Sequence, residues 1–292
     1  MQLNEINEGD SIFEDGENGM KKEVRVVDLD RGICQVTCSD ERWYAKATPD
    51  PVTGLPVYKY VPSVTWICSV GYAKGIAYHK WLAQTGWDES LAIRNAAGDK
   101  GSRVHHAIAD LIDGNPVSME AKYAGSEGEE AALSLEEYDC LLAFARWWEA
   151  MKPRTLAREI AVFNDEHGYA GTLDWLGLLE APPKGFPVGP WLLDWKTSQE
   201  VWPEHELQVS AYGRGDVLRD LLADAKLPVD ALQLGVLQVG YRRNKAGWKL
   251  TPVADQFDLF LAAQRIWKKQ TEGVEVFKRD YPLTVQLPEI VP

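Results

Sequence analysis

Two short stretches carry residue types that could hold a cation and activate water. Gly171-Thr172-Leu173-Asp174 is followed, after a Pro/Gly-rich gap, by Trp191-Leu192-Leu193-Asp194-Trp195-Lys196-Thr197-Ser198. Both read as strands, which makes them a hairpin whose two carboxylates and one ammonium converge on a single metal-sized spot. The period of two along a strand puts Asp194 and Lys196 on one face and Trp195 on the other. An Asp on one strand beside Asp-x-Lys on the next is the working set of a metal-dependent phosphodiesterase. Two carboxylates hold Mg2+ or Mn2+, and a lysine stands beside the attacking water. Asp-x-Lys alone is a weak signal, because solvated ion-pair faces produce it often. Here Leu176, Leu178, Leu179, Leu192 and Leu193 make the flanks apolar, and charges buried among them need partners.

The elements that would position this hairpin follow in order along the chain. Pro62-Ser63-Val64-Thr65 opens the region, and Gly101-Ser102-Arg103-Val104-His105 lies on an expected helix. Arg158-Glu159-Ile160-Ala161-Val162 reads as a strand leading into the hairpin, and Gln208-Val209-Ser210-Ala211-Tyr212 as part of the helix after it. Gln208 and Tyr212 are four apart, hence on one helix face. Leu207, Val209, Ala211, Val217 and Leu218 can pack that helix on the sheet, leaving Gln208 and Tyr212 to face the site. His105 and His106 are adjacent and point about 100° apart on a helix, so only one can face the hairpin.

Taken as an ordered set over roughly residues 60–245, these segments resemble the PD-(D/E)xK nuclease superfamily. Within it they are most similar to the branch of RecB-type, Cas4-like and phage exonuclease domains. That resemblance implies an α/β fold with a restriction-endonuclease-like αβββαβ core, a mixed sheet flanked by helices. It also implies one or two Mg2+ or Mn2+ ions held by His105, Asp174, Asp194 and the backbone carbonyl of Trp195. Lys196 would orient the attacking water or stabilise the pentavalent phosphate. Glu159 would ligate a second metal or hold a ligand in place, and Gln208 and Tyr212 would position the strand. Thr-Leu-Asp replaces Pro-Asp here, and Asp-Trp-Lys replaces Glu-x-Lys. Both changes keep the charges and shift the reading from restriction enzymes towards exonucleases acting on free DNA ends in recombination, repair or phage DNA metabolism. DNA, single- or double-stranded at its ends, is the implied partner, with a single-strand annealing or recombination protein beside it. The reading from another class is a catalytically silent DNA-binding or assembly subunit of the same fold.

Composition bounds these readings. The 292 residues suffice for a substantial core, and 45% hydrophobic with 26% charged residues is ordinary globular material. No apolar run approaches the 18 or so residues of a membrane span, and Met1 to Asp10 lacks the basic and apolar regions of a signal peptide. A cytoplasmic protein that does not engage a membrane is expected. The formal charge of −13 argues against a generic nucleic-acid binder, yet metal ions and a local basic patch can supply a positive field where a strand lies. Cys34, Cys38, Cys68 and Cys140 are scattered, with no cluster near the C-terminal end, so no iron-sulfur cluster is expected and free thiols are.

The chain divides into an expected flexible start (1–20), a small β appendage (21–66), the nuclease domain (67–280) and an extended tail (281–292). A helical period runs from Tyr72 to Gln84 and again from Ser90 to Asp113, with Lys74, Lys80, Arg94, Lys100 and Arg103 along it. Those cations are either a solvated face or a DNA-contacting one. Residues 115–133 are polar and loop-like, and Ser134-Leu135-Glu136-Glu137 opens a helix to Met151 as a capping box. Trp147 and Trp148 on it are simplest as packing. Proline excludes helix from 180–190. Residues 231–241 read as a strand ending in the basic turn Arg242-Arg243-Asn244-Lys245, which Trp248 to Val253 follows as another strand. Arg242, Arg243 and Lys245, with Arg103, are the candidate DNA-binding cations. A last helix spans Asp255 to Thr271.

Overall fold

The computed structural model describes residues 12–15, 21–38, 41–52, 54, 56–126, 128–180 and 182–272. The expected tail, 281–292, and most of the expected flexible start lie outside the described residues; within that start Ile12–Asp15 forms strand β1. Strands β2 (Lys21–Asp28), β3 (Ile33–Cys38), β4 (Glu41–Pro49) and β5 (Pro56–Pro62) follow it as an antiparallel meander in sequence order. Asp30-Arg31-Gly32 makes the turn between β2 and β3, with Arg31 and Gly32 both at positive φ.

Ser63 then starts helix α1 (Val64–Gly71), its hydroxyl accepting the Trp66 N–H at 3.0 Å. The expected helix from Tyr72 is corrected here. The chain is helical before Gly71, leaves the helix with Tyr72 extended, and resumes as α2 (Ile76–Thr85). At the end of α1 a Cβ on Gly71 would lie 2.0 Å from the Ala263 carbonyl oxygen of the last helix, so only glycine lets the two backbones touch there. Helix α3 (Trp87–Ile112) carries the histidines, and a small hairpin of β6 (Lys122–Ala124) and β7 (Glu130–Ala132) occupies the polar stretch after it. Helix α4 (Leu135–Met151) has the expected capping box, with Glu137 and Ser134 each accepting the other's backbone N–H.

The central sheet comprises β8 (Pro153–Asn164), β9 (Tyr169–Leu179), β10 (Gly189–Lys196), β11 (Gln233–Val239) and β12 (Trp248–Val253), ordered β12-β11-β10-β9-β8. Neighbours are antiparallel except β10 and β11, which are parallel and joined through α5 (Pro203–Tyr212) and α6 (Asp216–Asp224). Helix α7 (Phe257–Gln270) closes the described chain. Alternation along β10 sends Trp191, Leu193 and Trp195 into one apolar layer with α3 and α4, and Leu192 into the other with α1, α5, α6 and α7. In the first layer Trp147 meets Trp175 and Trp195 edge-on, at centroid separations of 6.0 and 5.6 Å. Such pairs contribute about 0.5–1.5 kcal/mol each beyond area burial. They fix the underside of β9 and β10, and so the height at which Asp194 and Lys196 stand on the opposite side. No helix among the described residues is long and apolar enough to cross a membrane.

The N-terminal sheet shares the core. Val26, Val36 and Trp43 are buried in the same cluster as Trp66, Leu192 and Trp267, and Tyr44 and Val61 pack with Ala161, Phe163 and Ala170. Lys46 and Lys59 each lie 2.8 Å from Asp165 in the β8–β9 turn. Their hydrogen bonds hold the Asp165 carboxyl below the usual carboxylate range despite some desolvation. A depressed folded-state pKa gives stability that is present above the unfolded value of about 3.9 and is lost as pH falls through the folded value. Asp165→Asn is therefore expected to destabilise at pH 7 by about 1 kcal/mol or less per pair, since the groups are partly exposed. Urea titrations of both proteins at neutral and acidic pH test this: the difference should vanish in acid.

Candidate metal centre

The carboxylates meet where the β9–β10 ladder ends. The last paired residues are Leu193 and Trp175, so the Trp195 N–H needs another acceptor, and Asp174 Oδ2 takes it at 2.6 Å. Across from them α3 presents His105, whose Nδ1 is 3.4 Å from Asp174 Oδ1 and whose Nε2 is 3.1 Å from the Trp195 carbonyl. His106 points away, exposed, with Nδ1 3.2 Å from the Ala124 carbonyl oxygen. Glu159 joins from β8. His105, Glu159 and Asp174 each offer a ligand atom within 4.8 Å of the others, a spacing that suits one cation. Glu159 occupies this spot at φ 46°, left-handed for a non-glycine residue inside a strand. Such a conformation costs about 1–3 kcal/mol and tends to mark functional positions.

Asp194 is 1% exposed, and its Oδ1 has no hydrogen-bond partner. Lys196 Nζ lies 2.5 Å from its Oδ2 and pairs with it. Burial pushes the Asp194 carboxyl up to about 6, with the Lys196 charge opposing the rise. Glu159 is driven to about 8 by burial and by the neighbouring Asp174 charge. Burial alone would lower His105, but Asp174 outweighs it and holds the imidazole at about 9. The same attraction, with that of Lys196, keeps Asp174 below the usual range against desolvation. Without a cation, then, three carboxyls crowd around two positive side chains, Glu159 is left protonated near neutral pH, and Asp194 Oδ1 has no partner. Hard oxygen donors plus one imidazole fit Mg2+ or Mn2+.

Gln208 and Tyr212 do lie on one side of α5, where Gln208 Nε2 donates to the Tyr212 hydroxyl at 2.8 Å. Tyr212 is buried, and desolvation keeps its hydroxyl protonated well beyond the usual range. Its ring presses on Gly171, where a Cβ would come within 2.4 Å of Tyr212 Cε1. Gly171→Ala should therefore destabilise by about 1–3 kcal/mol, the scale of overpacking, and move Tyr212 away from the strand that bears Asp174. Denaturant unfolding measures the first effect; unchanged stability would mean the ring is free to shift.

Three of the four candidate DNA-binding cations are already paired with carboxylates. Arg103 is a half-buried clamp, its Nε 2.8 Å from Glu137, which is 2% exposed on α4. Arg242 pairs with Glu136, which also binds Lys100 at 2.9 Å, and Arg243 pairs with Glu200. Lys245 is exposed in the same turn. Two groups near the site, Tyr44 and Gln238, were not singled out from sequence. Tyr44, from the N-terminal sheet, hydrogen-bonds Thr172 at 3.1 Å on the strand that bears Asp174. Lys74 pairs with Glu204, and burial, with the nearby Lys196 and Lys74 charges, lowers His205. Gln238 pairs in register with Lys196 on the parallel neighbour and has a buried, unpartnered Oε1. Its one sequence signal is a polar side chain inside an apolar strand. No protein-family model matches this chain, and no curated protein sequence matches it.

Proposed function

We propose that this chain is a divalent-metal-dependent deoxyribonuclease of the PD-(D/E)xK kind, acting as an exonuclease on free DNA ends. The observation that carries the proposal is the cluster of His105, Glu159 and Asp174, whose ligand atoms lie within 4.8 Å of one another, with the buried Asp194 beside it, paired to Lys196 through Oδ2 and without a hydrogen-bond partner at Oδ1. Carboxyls crowded in a buried site cost stability that a bound divalent cation would relieve. The strand connectivity supports the same reading, since helix α4, the three antiparallel strands β8 to β10, a helical crossover and the parallel β11 follow the order of the αβββαβ core.

A bound Mg2+ or Mn2+ would lower the pKa of its water and neutralise charge growing on the phosphate. His105, Asp174, Glu159 and Asp194 would hold it. Lys196, 19% exposed at the rim, donates hydrogen bonds to the attacking water or to a phosphate oxygen. The Asp194 contact keeps its ammonium charged against the pull of burial. The Trp195 N–H holds Asp174 in position, and the Trp175–Trp147–Trp195 packing holds the strand under it. The preference for free ends, and any work alongside a single-strand annealing or recombination protein, rests on the RecB-like resemblance.

The test is one incubation of end-labelled linear DNA and closed circular DNA with Mg2+ or Mn2+. Linear DNA should be degraded while circles persist. Equal rates on both would remove the exonuclease part and keep the nuclease. No cleavage of either with any divalent metal would leave the Asp194–Lys196 contact as a structural ion pair in a binding or assembly subunit.

A further inference from the structure

Helix α2 has no buried residue, although its sequence is Ile-Ala-Tyr-His-Lys-Trp-Leu-Ala-Gln-Thr. Tyr78, Trp81, Leu82 and Thr85 repeat at helical spacing and are only half covered, and Ile76 at its start is 76% exposed. Trp87, just beyond, is 64% exposed. A ten-residue helix is marginal by itself in water, and here no buried face compensates. The cations are placed on the aromatics. Lys74 Nζ sits 5.9 Å from the Tyr78 ring centre, the Arg94 guanidinium 5.8 Å from that of Trp87, and Lys80 is exposed between them. No acidic residue occurs from Gly71 to Trp87, in a chain whose net charge is −13. Asp88 and Glu89 follow in the first turn of α3, where they face the positive end of the helix dipole. Lys74 also ties this surface to the candidate metal centre through Glu204 on α5, next to His205.

Exposed aromatic faces interleaved with cations suit an unpaired nucleic-acid strand. Bases offer π-faces to stack, phosphates offer charge, and a duplex hides those faces inside its own stack. We infer that α2 and the start of α3 form a landing platform for single-stranded DNA, with bases on Trp81 and Trp87 and phosphates on Lys74, Lys80 and Arg94. This rests on the nuclease reading for its purpose: the platform would deliver an unpaired end past Lys74 to Lys196. It makes a single strand the preferred substrate and gives positive charge to the one face of an acidic protein that needs it.

The platform is tested by binding in EDTA, where cleavage plays no part. The probes are a fluorescently labelled oligothymidylate and a blunt duplex of equal length, read by anisotropy. The single strand should bind at least about tenfold tighter than the duplex. Trp87→Ala, at an exposed position with little risk to folding, should weaken single-strand binding on the order of 5- to 100-fold, the range for losing one stacked base, and leave duplex binding unchanged. Trp81→Ala should do the same and Trp81→Phe should largely restore it. Lys80→Glu should flatten the slope of log affinity against log salt by about 0.7 or more, as expected when a phosphate contact to a single strand is lost. The inference is overturned by equal affinity for both probes, by unaltered binding in both tryptophan variants, or by equal losses on both probes. It is overturned equally if sedimentation finds a dimer that Trp87→Glu dissociates, because a second copy would then be what covers this face. Single-strand binding that responds as stated in a protein that cuts nothing would sink the nuclease reading alone, and metal-dependent cutting by a protein indifferent to these substitutions would sink the platform alone.

Discussion

Replacing Lys196 with alanine is expected to cut the rate of DNA cleavage at least about a hundredfold while metal and DNA still bind. A factor of a hundred is about 2.7 kcal/mol of transition-state stabilisation, the usual scale for a group that acts only on the reacting atoms. The structure separates the roles of Lys196 and its neighbour. The Lys196 ammonium touches Asp194 and lies within electrostatic reach of Asp174, so removing it takes a positive charge away from where a cation would sit. Calorimetry with Mn2+ or Ca2+ should then give an affinity equal to or slightly above that of the wild type. Asp194→Ala should behave differently, losing the heat of metal binding and the cleavage together, because it removes a buried carboxylate whose Oδ1 has no partner in the protein. Lys196→Ala cutting at the wild-type rate would return Asp194-Trp195-Lys196 to a structural role.

His105→Ala should raise the metal concentration for half-maximal cleavage on the order of 10- to 100-fold, whereas His106→Ala should leave it near the wild-type value. His105 is between Asp174 and the Trp195 carbonyl, at 3.4 and 3.1 Å, so its loss removes an imidazole donor and loosens the carboxylate beside it. His106 faces the β6 hairpin, and its contact with the Ala124 carbonyl is structural. A readout independent of turnover is the rise in unfolding temperature on adding Mn2+. Ligand binding to the folded state alone stabilises it by RT ln(1 + [L]/Kd), so the weaker Mn2+ affinity of His105→Ala should shrink that rise. Coincident metal titrations for the two variants would remove His105 from the site.

Much of this arrangement was legible in the chain because it is written locally. The near-continuous apolar runs along 169–179 and 189–196 follow from strands covered on both faces. Ser134 with Glu137, and Pro203 ahead of Glu204 and Glu206, mark helix starts through hydrogen bonds and dipoles that span only a turn. The period of two fixed which side Asp194 and Lys196 share, and the four-residue spacing fixed that Gln208 and Tyr212 share a face.

Only the tertiary structure decided which distant groups meet those residues. Gly71 at the end of α1 meets the backbone of α7, nearly two hundred residues later, at a distance only glycine allows. Glu159 gains its place beside Asp174 from a left-handed backbone within β8, which no residue pattern encodes for a glutamate. Tyr44 reaches Thr172 across 128 residues, and Lys74 reaches Glu204 across 130. Arg242, a candidate DNA-binding cation on its sequence, meets Glu136 across 106 residues. The physical reason is range. Propensity, capping and periodicity act over a few residues and leave a mark in composition, whereas a contact between sheets or helices depends on how buried surfaces fit, and many sequences with the same local pattern would place those partners elsewhere.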